Sequence, residues 1–256
     1  MFRQICPLVF LLLVTPLVAQ DDTATQKLTR QSKQFAEQIV QVAHNVYTAV
    51  GFSVSNVSMI IGDDGLVIVD TGMMVDDAGR IMAEFRKLSD KPVKAIIFTH
   101  SHGDHTGGAS AFLGDERPQI WAHKNFGSEA KPLQAGGVTF QRVRGARQAG
   151  FKLPADQRIN NGIAPVRYPK RGGGVFASSN ATKPNHFLEG DRQTIRIAGV
   201  ELELVSSPGE TNDQLFVWDP AGKVLFVGDN FYRSFPNLYA IRGTPNRSVR
   251  LWAESI

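Results

Sequence analysis

Residues Ile5 to Val18 form a largely apolar run that contains Pro7 and Pro16, preceded by Arg3 and followed by small Ala19 and polar Gln20, Asp21 and Asp22. That layout predicts a secretory signal peptide over residues 1–19, cut after Ala19, and export of the mature chain to the periplasm or the medium. Roughly 14 residues with two prolines are too few to span a bilayer as a helix. No later stretch is apolar enough to do so, and no integral membrane segment is expected once the signal is removed.

After the signal the pattern becomes periodic. Thr25 to His44, rich in Gln, Lys, Ala and Glu with Phe35, Ile39 and Val42 at helical spacing, predicts an amphipathic helix ending at His44. From Val46 the period shortens. Val57–Ile61 and Leu66–Val69 are β-branched runs joined by Gly62-Asp63-Asp64-Gly65, a hairpin signal. Asp76 to Leu88 predicts a helix with Ile81, Phe85 and Leu88 on one face. Val93–Phe98, apolar but for Lys94, has the character of a strand buried on both sides. A short helix at Ala109–Phe112, a strand at Gln119–Ala122 and a second short helix opening at His123 are expected next. Residues 127–184 show no clear period and are rich in Gly, Arg, Asn and Pro, as expected of a long functional insertion. Strands at Thr194–Ile197, Val200–Val205, Leu215–Trp218 and Val224–Val227 follow, then a helix from Ser248. Two groups of strands, each followed by helices, predict an α/β fold of two packed sheets with helices outside.

Composition narrows the class further. The 256 residues are 42% apolar and 20% charged, values that exclude a disordered or collagenous chain. The net charge of +4 is spread along the chain rather than clustered, so nothing argues for a nucleic-acid partner. Cys6 is the sole cysteine and falls within the signal, which leaves a mature chain without disulfides or thiolate metal ligands.

The candidate chemistry is concentrated after the apolar strand, in His100-x-His102-x-Asp104-His105. Imidazole nitrogens and carboxylate oxygens suit zinc and related divalent ions. On a loop after a buried strand the alternate residues His100 and His102 can converge on one ion, with Asp104 and His105 turned toward a second. Four ligand-type residues in six positions, beside Gly107-Gly108, are more than a polar surface turn requires.

These residues resemble the metal loop of the metallo-β-lactamase superfamily. Ser55-Asn56-Val57 through Asp70-Thr71-Gly72 is similar to its first motif, Gly190-Asp191-Arg192 through Pro208-Gly209-Glu210-Thr211 to the hairpin leading into its third, and Val227-Gly228-Asp229 to its fourth. The resemblance implies a four-layer αββα sandwich with a two-metal site at one edge of the sheets, in a hydrolase domain over residues 20–256. Most of the superfamily has histidine where this chain has Glu210. Glutamate there, with acidic Asp229 nineteen residues on, resembles the alkylsulfatase branch. The branch more often has glutamate at that second position, a small departure. By this resemblance Glu210 is the third ligand of one metal and Asp229 bridges both. Asn237 and Arg242 fall on positions that hold the sulfate group; a guanidinium pairs two oxyanion oxygens at once. Asp70 orients a ligand histidine by hydrogen bond, or else forms the turn before Gly72. His44 and His123 are expected to be structural, and His186 is the alternative third ligand.

One expected element is missing. The family's second metal takes a further histidine some tens of residues after Asp229, but no histidine follows His186, and the helix from Ser248 reaches Ile256 without a capping residue. The expectation is therefore a truncated alkylsulfatase-like chain with an incomplete second site. Relatives continue into further domains, one of them for dimerisation, so a homodimer is expected only of a full-length form. The function that follows is a zinc-dependent (Zn) hydrolase of small-molecule alkyl sulfate esters such as dodecyl sulfate, acting through a dizinc-activated water. The alternatives are another hydrolase of the same fold (lactonase, β-lactamase or phosphodiesterase) and an inactive metal-binding protein.

Overall fold

The computed structural model describes residues 22–114, 117–128, 138–164, 182–231, 233–234, 236, 238 and 247–255, without the side chains of 138–142. The signal-like run, Asn237 and Arg242 lie outside the described residues.

The expected long first helix is cut short. Helix α1 covers Ala24–Ser32, opened by a reciprocal pair in which Gln26 N–H donates to the Thr23 hydroxyl and Thr23 N–H to the Gln26 amide. A 3-10 turn at Lys33–Phe35 follows, and Gln38–Ala43 is a strand, β1. Helical spacing of Phe35, Ile39 and Val42 coincided with a segment in which Ile39, Val40 and Val42 are all β-branched. Pairing with β2 (Val46–Val50) decided the outcome, as tertiary context often does. His44 therefore sits in a hairpin turn, its carbonyl accepting from Gln41 Nε2 at 3.1 Å, and not at a helix end.

From β2 the larger sheet grows in sequence order through β3 (Val57–Ile61), β4 (Leu66–Val69), β5 (Val93–Ile97), β6 (Gln119–His123) and β7 (His186–Leu188). The first four strands are antiparallel; β4 to β7 are parallel. Parallel pairing of β4 with β5 needs a crossover, supplied by helix α2 (Val75–Arg86). The second sheet is an antiparallel meander of β8 (Arg192–Ile197), β9 (Val200–Ser206), β10 (Leu215–Asp219) and β11 (Val224–Phe226).

Strand alternation splits the apolar residues between two cores. Met59, Leu66, Ile68 and Ile96 face Ala78, Ile81 and Phe85 of α2. Their neighbours Ile60, Val67, Val69, Ala95 and Ile97 face Ile195, Leu202, Leu204, Leu215 and Val217 of the second sheet. The middle of the larger sheet is thus buried on both faces, which is why β4 reads as an unbroken apolar run and β5 is interrupted only by half-buried Lys94.

Three further expectations change. Residues after His123 form turns rather than a short helix, so His123 closes β6 instead of opening a helix. The 127–184 segment contains a helix, α4 (Val138–Gln148), which its interleaved arginines and Gly145 concealed. The element at Ala109–Phe112 is a 3-10 helix. Helix α5 (Val249–Ser255) is the last described element. No helix among the described residues is long and apolar enough to cross a membrane.

Candidate metal centre

The centre lies where β4, β5, β9 and β11 end. Beyond β5 the chain bends at residues 99–101, is extended at His102, and then winds into a single helical turn, α3 (Gly103–Thr106). The bend brings the His100 and His102 rings together edge to face, with centroids 4.6 Å apart. The turn then brings His105 back over His100, with ring centroids 4.1 Å apart.

The first-motif residues hold this loop from below. Ser55 Oγ donates to the Asp104 carbonyl, and Thr71 donates to the His105 carbonyl from both N (2.7 Å) and Oγ1 (2.8 Å). Gly107 and Gly108 pack so tightly on the Met73 and Thr71 carbonyls that a Cβ at either would collide with them.

Ligand-type atoms gather into two groups. Those of His100, His102, Glu210 and Asp229 lie within 4.8 Å of one another, as do those of Asp104, His105 and Asp229. Asp229 belongs to both. His186 joins neither; it packs on Trp121 with ring centroids 4.9 Å apart and contacts Asn185 Oδ1 through Nδ1. His100, His105 and Glu210 are buried, whereas the side chains of His102, Asp104 and Asp229 keep 29%, 23% and 26% of their exposure. One side of the centre is therefore open to a ligand.

Asp70 sets the imidazoles. Its Oδ2 contacts His105 Nδ1 at 2.8 Å, and its carboxylate accepts from Thr99 N (2.8 Å) and Thr99 Oγ1 (2.9 Å). With its proton given to Asp70, the Thr99 hydroxyl accepts from His100 Nδ1 at 3.1 Å. The hydrogen-bond network thus places a proton on Nδ1 of both histidines and turns each Nε2 into the centre. His100 Nε2 has no hydrogen-bond partner among the described residues, and His105 Nε2 lies 3.0 Å from Asp229 Oδ1. Imidazole nitrogens aimed into a cluster of carboxylates suit a cation, which at His105 takes the place of a proton. Asp70 also adopts φ +57°, so it forms the turn and orients the two histidines at once.

The family model of the metallo-β-lactamase superfamily matches residues 50–255. The chain belongs to that superfamily. Within it, the chain is similar to alkylsulfatases. It is 30% identical to a linear primary-alkylsulfatase of Pseudomonas sp., over 69% of this chain and 34% of that protein. It is 27% identical to an (R)-specific secondary-alkylsulfatase of Pseudomonas sp., over 84% of this chain and 33% of that protein. The structure of the stereoselective inverting sec-alkylsulfatase Pisa1 from Pseudomonas sp. aligns with a TM-score of 0.74 at 26% identity, over 90% of this chain and 37% of that one. The chain spans about a third of the length of the curated relatives it matches.

Electrostatics in this superfamily member favour cation uptake. Burial, then the proximity of His105, holds His100 well below the usual histidine range; burial likewise lowers His102. Both are neutral near pH 7 and ready as ligands. Burial opposes a charge on His105 too, but Asp229, Asp70 and Asp104 outweigh it and raise that group well above its usual range. Glu210 is pushed up to about 7 by burial and by Asp229, against the pull of His102 and Arg247.

Several contributors escaped sequence reasoning. Asn230, next to Asp229, donates from Nδ2 to Ser207 O and Ser207 Oγ at 2.7 Å and accepts from Glu210 N at 3.4 Å, tying the two acidic loops together. Gly209 lets Asn230 approach, since a Cβ there would strike its amide oxygen. Thr99 and Arg247 were likewise given no role. Thr99 directly precedes His100 and Asn230 directly follows Asp229, so adjacency to candidate ligands was the only available signal.

Proposed function

We propose that this chain carries the metal centre of a zinc-dependent hydrolase of sulfate esters, with alkyl sulfates as its substrates. The observation that carries the reading is a carboxylate pair. Glu210 stands with His100 and His102 where the superfamily usually has a third histidine, and Asp229 is common to both ligand groups. The alkylsulfatase relatives support the substrate class. In this reading His100, His102 and Glu210 hold one ion, Asp104 and His105 the other, and Asp229 both. Two divalent ions, when bound, polarise an ester oxygen and make a water acidic enough to ionise near neutral pH.

The chain's own residues do the rest. Asp70 and Thr99 keep the ring nitrogens aimed inward. Asn230 holds the Glu210 and Asp229 loops at a fixed separation. Asn237 and Arg242 are assigned to the sulfate oxygens, and the 127–184 segment to covering the alkyl chain. We assign export to the periplasm or medium through residues 1–19.

The test is a side-by-side assay of the zinc-loaded chain on dodecyl sulfate, nitrocefin and a bis-aryl phosphate. Inorganic sulfate released from the first, with the other two left intact, is the expected result. Turnover of nitrocefin or the phosphodiester alone would move the chain to another hydrolase class, and metal uptake with no turnover would make it a binding protein.

A further inference from the structure

We infer that Arg247 is a positioning residue of the metal centre, and that Glu210 and Arg247 act together as one charge-neutral ligand in place of a histidine. The inference rests on the proposal that His100, His102, Glu210 and Asp229 hold a metal.

The first argument is charge. Exchanging a neutral imidazole for a carboxylate adds a negative charge to a site that already contains Asp229 and Asp104. Glu210 is also on the buried side, where an uncompensated charge is most costly. Arg247 meets it there: Nη1 donates to Glu210 Oε1, with the two side chains 4% and 3% exposed. With Glu210 ionised, as a metal ligand must be, the pair carries no net charge, like an imidazole. Buried ion pairs are poor stabilisers compared with apolar packing, so this one calls for a reason other than stability.

The second argument is geometry. Oε1 is engaged by the guanidinium, while Oε2 lies 3.9 Å from His102 Nδ1 on the ligand side. Glu210 can then offer a cation one oxygen, as a histidine offers one nitrogen. The third is the mounting of Arg247. It precedes Ser248, whose hydroxyl accepts from Leu251 N at the start of α5. Helix α5 is fastened to the loop that presents Glu210: Ser255 Oγ donates to the Pro208 carbonyl at 2.9 Å, and Ser207 Oγ to the Ser255 carbonyl at 2.9 Å. Trp252 Nε1 donates to the carbonyl of Asn230 at 3.1 Å, beside Asp229. Arg247 is thus referenced to both acidic loops.

The experiment is a titration of the chelator-treated chain with Co2+ and Zn2+, reading stoichiometry, affinity and the visible Co2+ spectrum. It compares wild type with Arg247→Met, Arg247→Lys, Glu210→His and the double variant Glu210→His/Arg247→Met. Arg247→Met should weaken uptake about 10- to 100-fold, as loss of a group orienting a ligand does, and should alter the Co2+ spectrum as Glu210 becomes free to rotate. Arg247→Lys should recover part of the affinity. Glu210→His alone leaves a buried cation and should bind poorly; the double variant removes that cation and should bind better than Glu210→His, a non-additivity that a purely structural arginine would not give. Because the double variant buries no unpaired charge, it keeps the test open should Arg247→Met fail to fold. Unchanged affinity and spectrum in Arg247→Met, or a double variant no better than Glu210→His, overturns the inference. A wild-type chain that takes up no metal overturns the metal-centre proposal, and this inference with it.

Discussion

Replacing Asp70 by asparagine isolates what its charge contributes, because shape and tolerance of a left-handed backbone are retained. In the native chain both carboxylate oxygens accept: Oδ1 from Thr99 N at 2.8 Å, Oδ2 from Thr99 Oγ1 at 2.9 Å and from His105 Nδ1 at 2.8 Å. An amide has one acceptor and one donor side. If its NH2 faces Thr99, a buried backbone N–H loses its acceptor, at a cost of roughly 1–3 kcal/mol to the fold. If the NH2 faces His105 instead, Nδ1 must become an acceptor, the ring proton moves to Nε2, and the nitrogen aimed at the centre is blocked. Loss of such an orienting partner weakens metal binding about 10- to 100-fold, or about 1.4–2.7 kcal/mol. The assay is twofold: urea unfolding of the metal-free protein, and competition for Zn2+ against a chromophoric chelator. Asp70→Asn should lose stability, metal affinity or a share of each, totalling at least about 1 kcal/mol. An unfolding midpoint and a metal affinity both equal to wild type would refute the reasoning that Asp70 sets the tautomers.

Gly228→Ala should be damaging out of proportion to one methyl group. Gly228 adopts φ +53° and a Cβ would lie 2.5 Å from Thr99 Oγ1, so the backbone cost of about 1–2 kcal/mol comes with displacement of the hydroxyl that orients His100; thermal unfolding and zinc content should both fall. Protons compete with metal for His105, whose pKa is raised, and for Glu210, raised to about 7. Zn2+ addition at pH 6 should therefore release protons, and Zn2+ affinity should rise from pH 6 to pH 8; an affinity independent of pH across that range would contradict it. If Arg242 grips sulfate, Arg242→Ala should lower kcat/KM on an alkyl sulfate by about ten- to a hundredfold while leaving metal content and turnover of a neutral lactone nearly unchanged. Equal losses on both substrates would make it a structural arginine.

What could be read from the chain alone depended on how local the information was. His100, His102, Asp104 and His105 are packed into six positions behind an apolar strand, and their chemistry was visible without any fold. Glu210 and Asp229 were not: each alone passes for a turn or cap residue, and only the resemblance to known motifs singled them out. Arg247 was invisible, because a buried arginine and a surface arginine look identical until the contact with Glu210, far away in sequence, is formed. The second sheet was legible because its strands alternate against a single core. β1 was misread because Ile39 and Val42 satisfy a helical period and a strand composition at once, and only its pairing with β2 separates the two. Helix α4 was lost among arginines that disguise its period.

The central claim is that Asp229 is shared by two ligand groups, one built on His100, His102 and Glu210 and the other on Asp104 and His105. Anomalous diffraction at the zinc edge, from crystals of the zinc-loaded chain, tests it most directly. The account expects two peaks about 3.5–4 Å apart with Asp229 touching both, the weaker one on the Asp104–His105 side. A single peak, or a peak coordinated by His186 in place of Glu210, would contradict it.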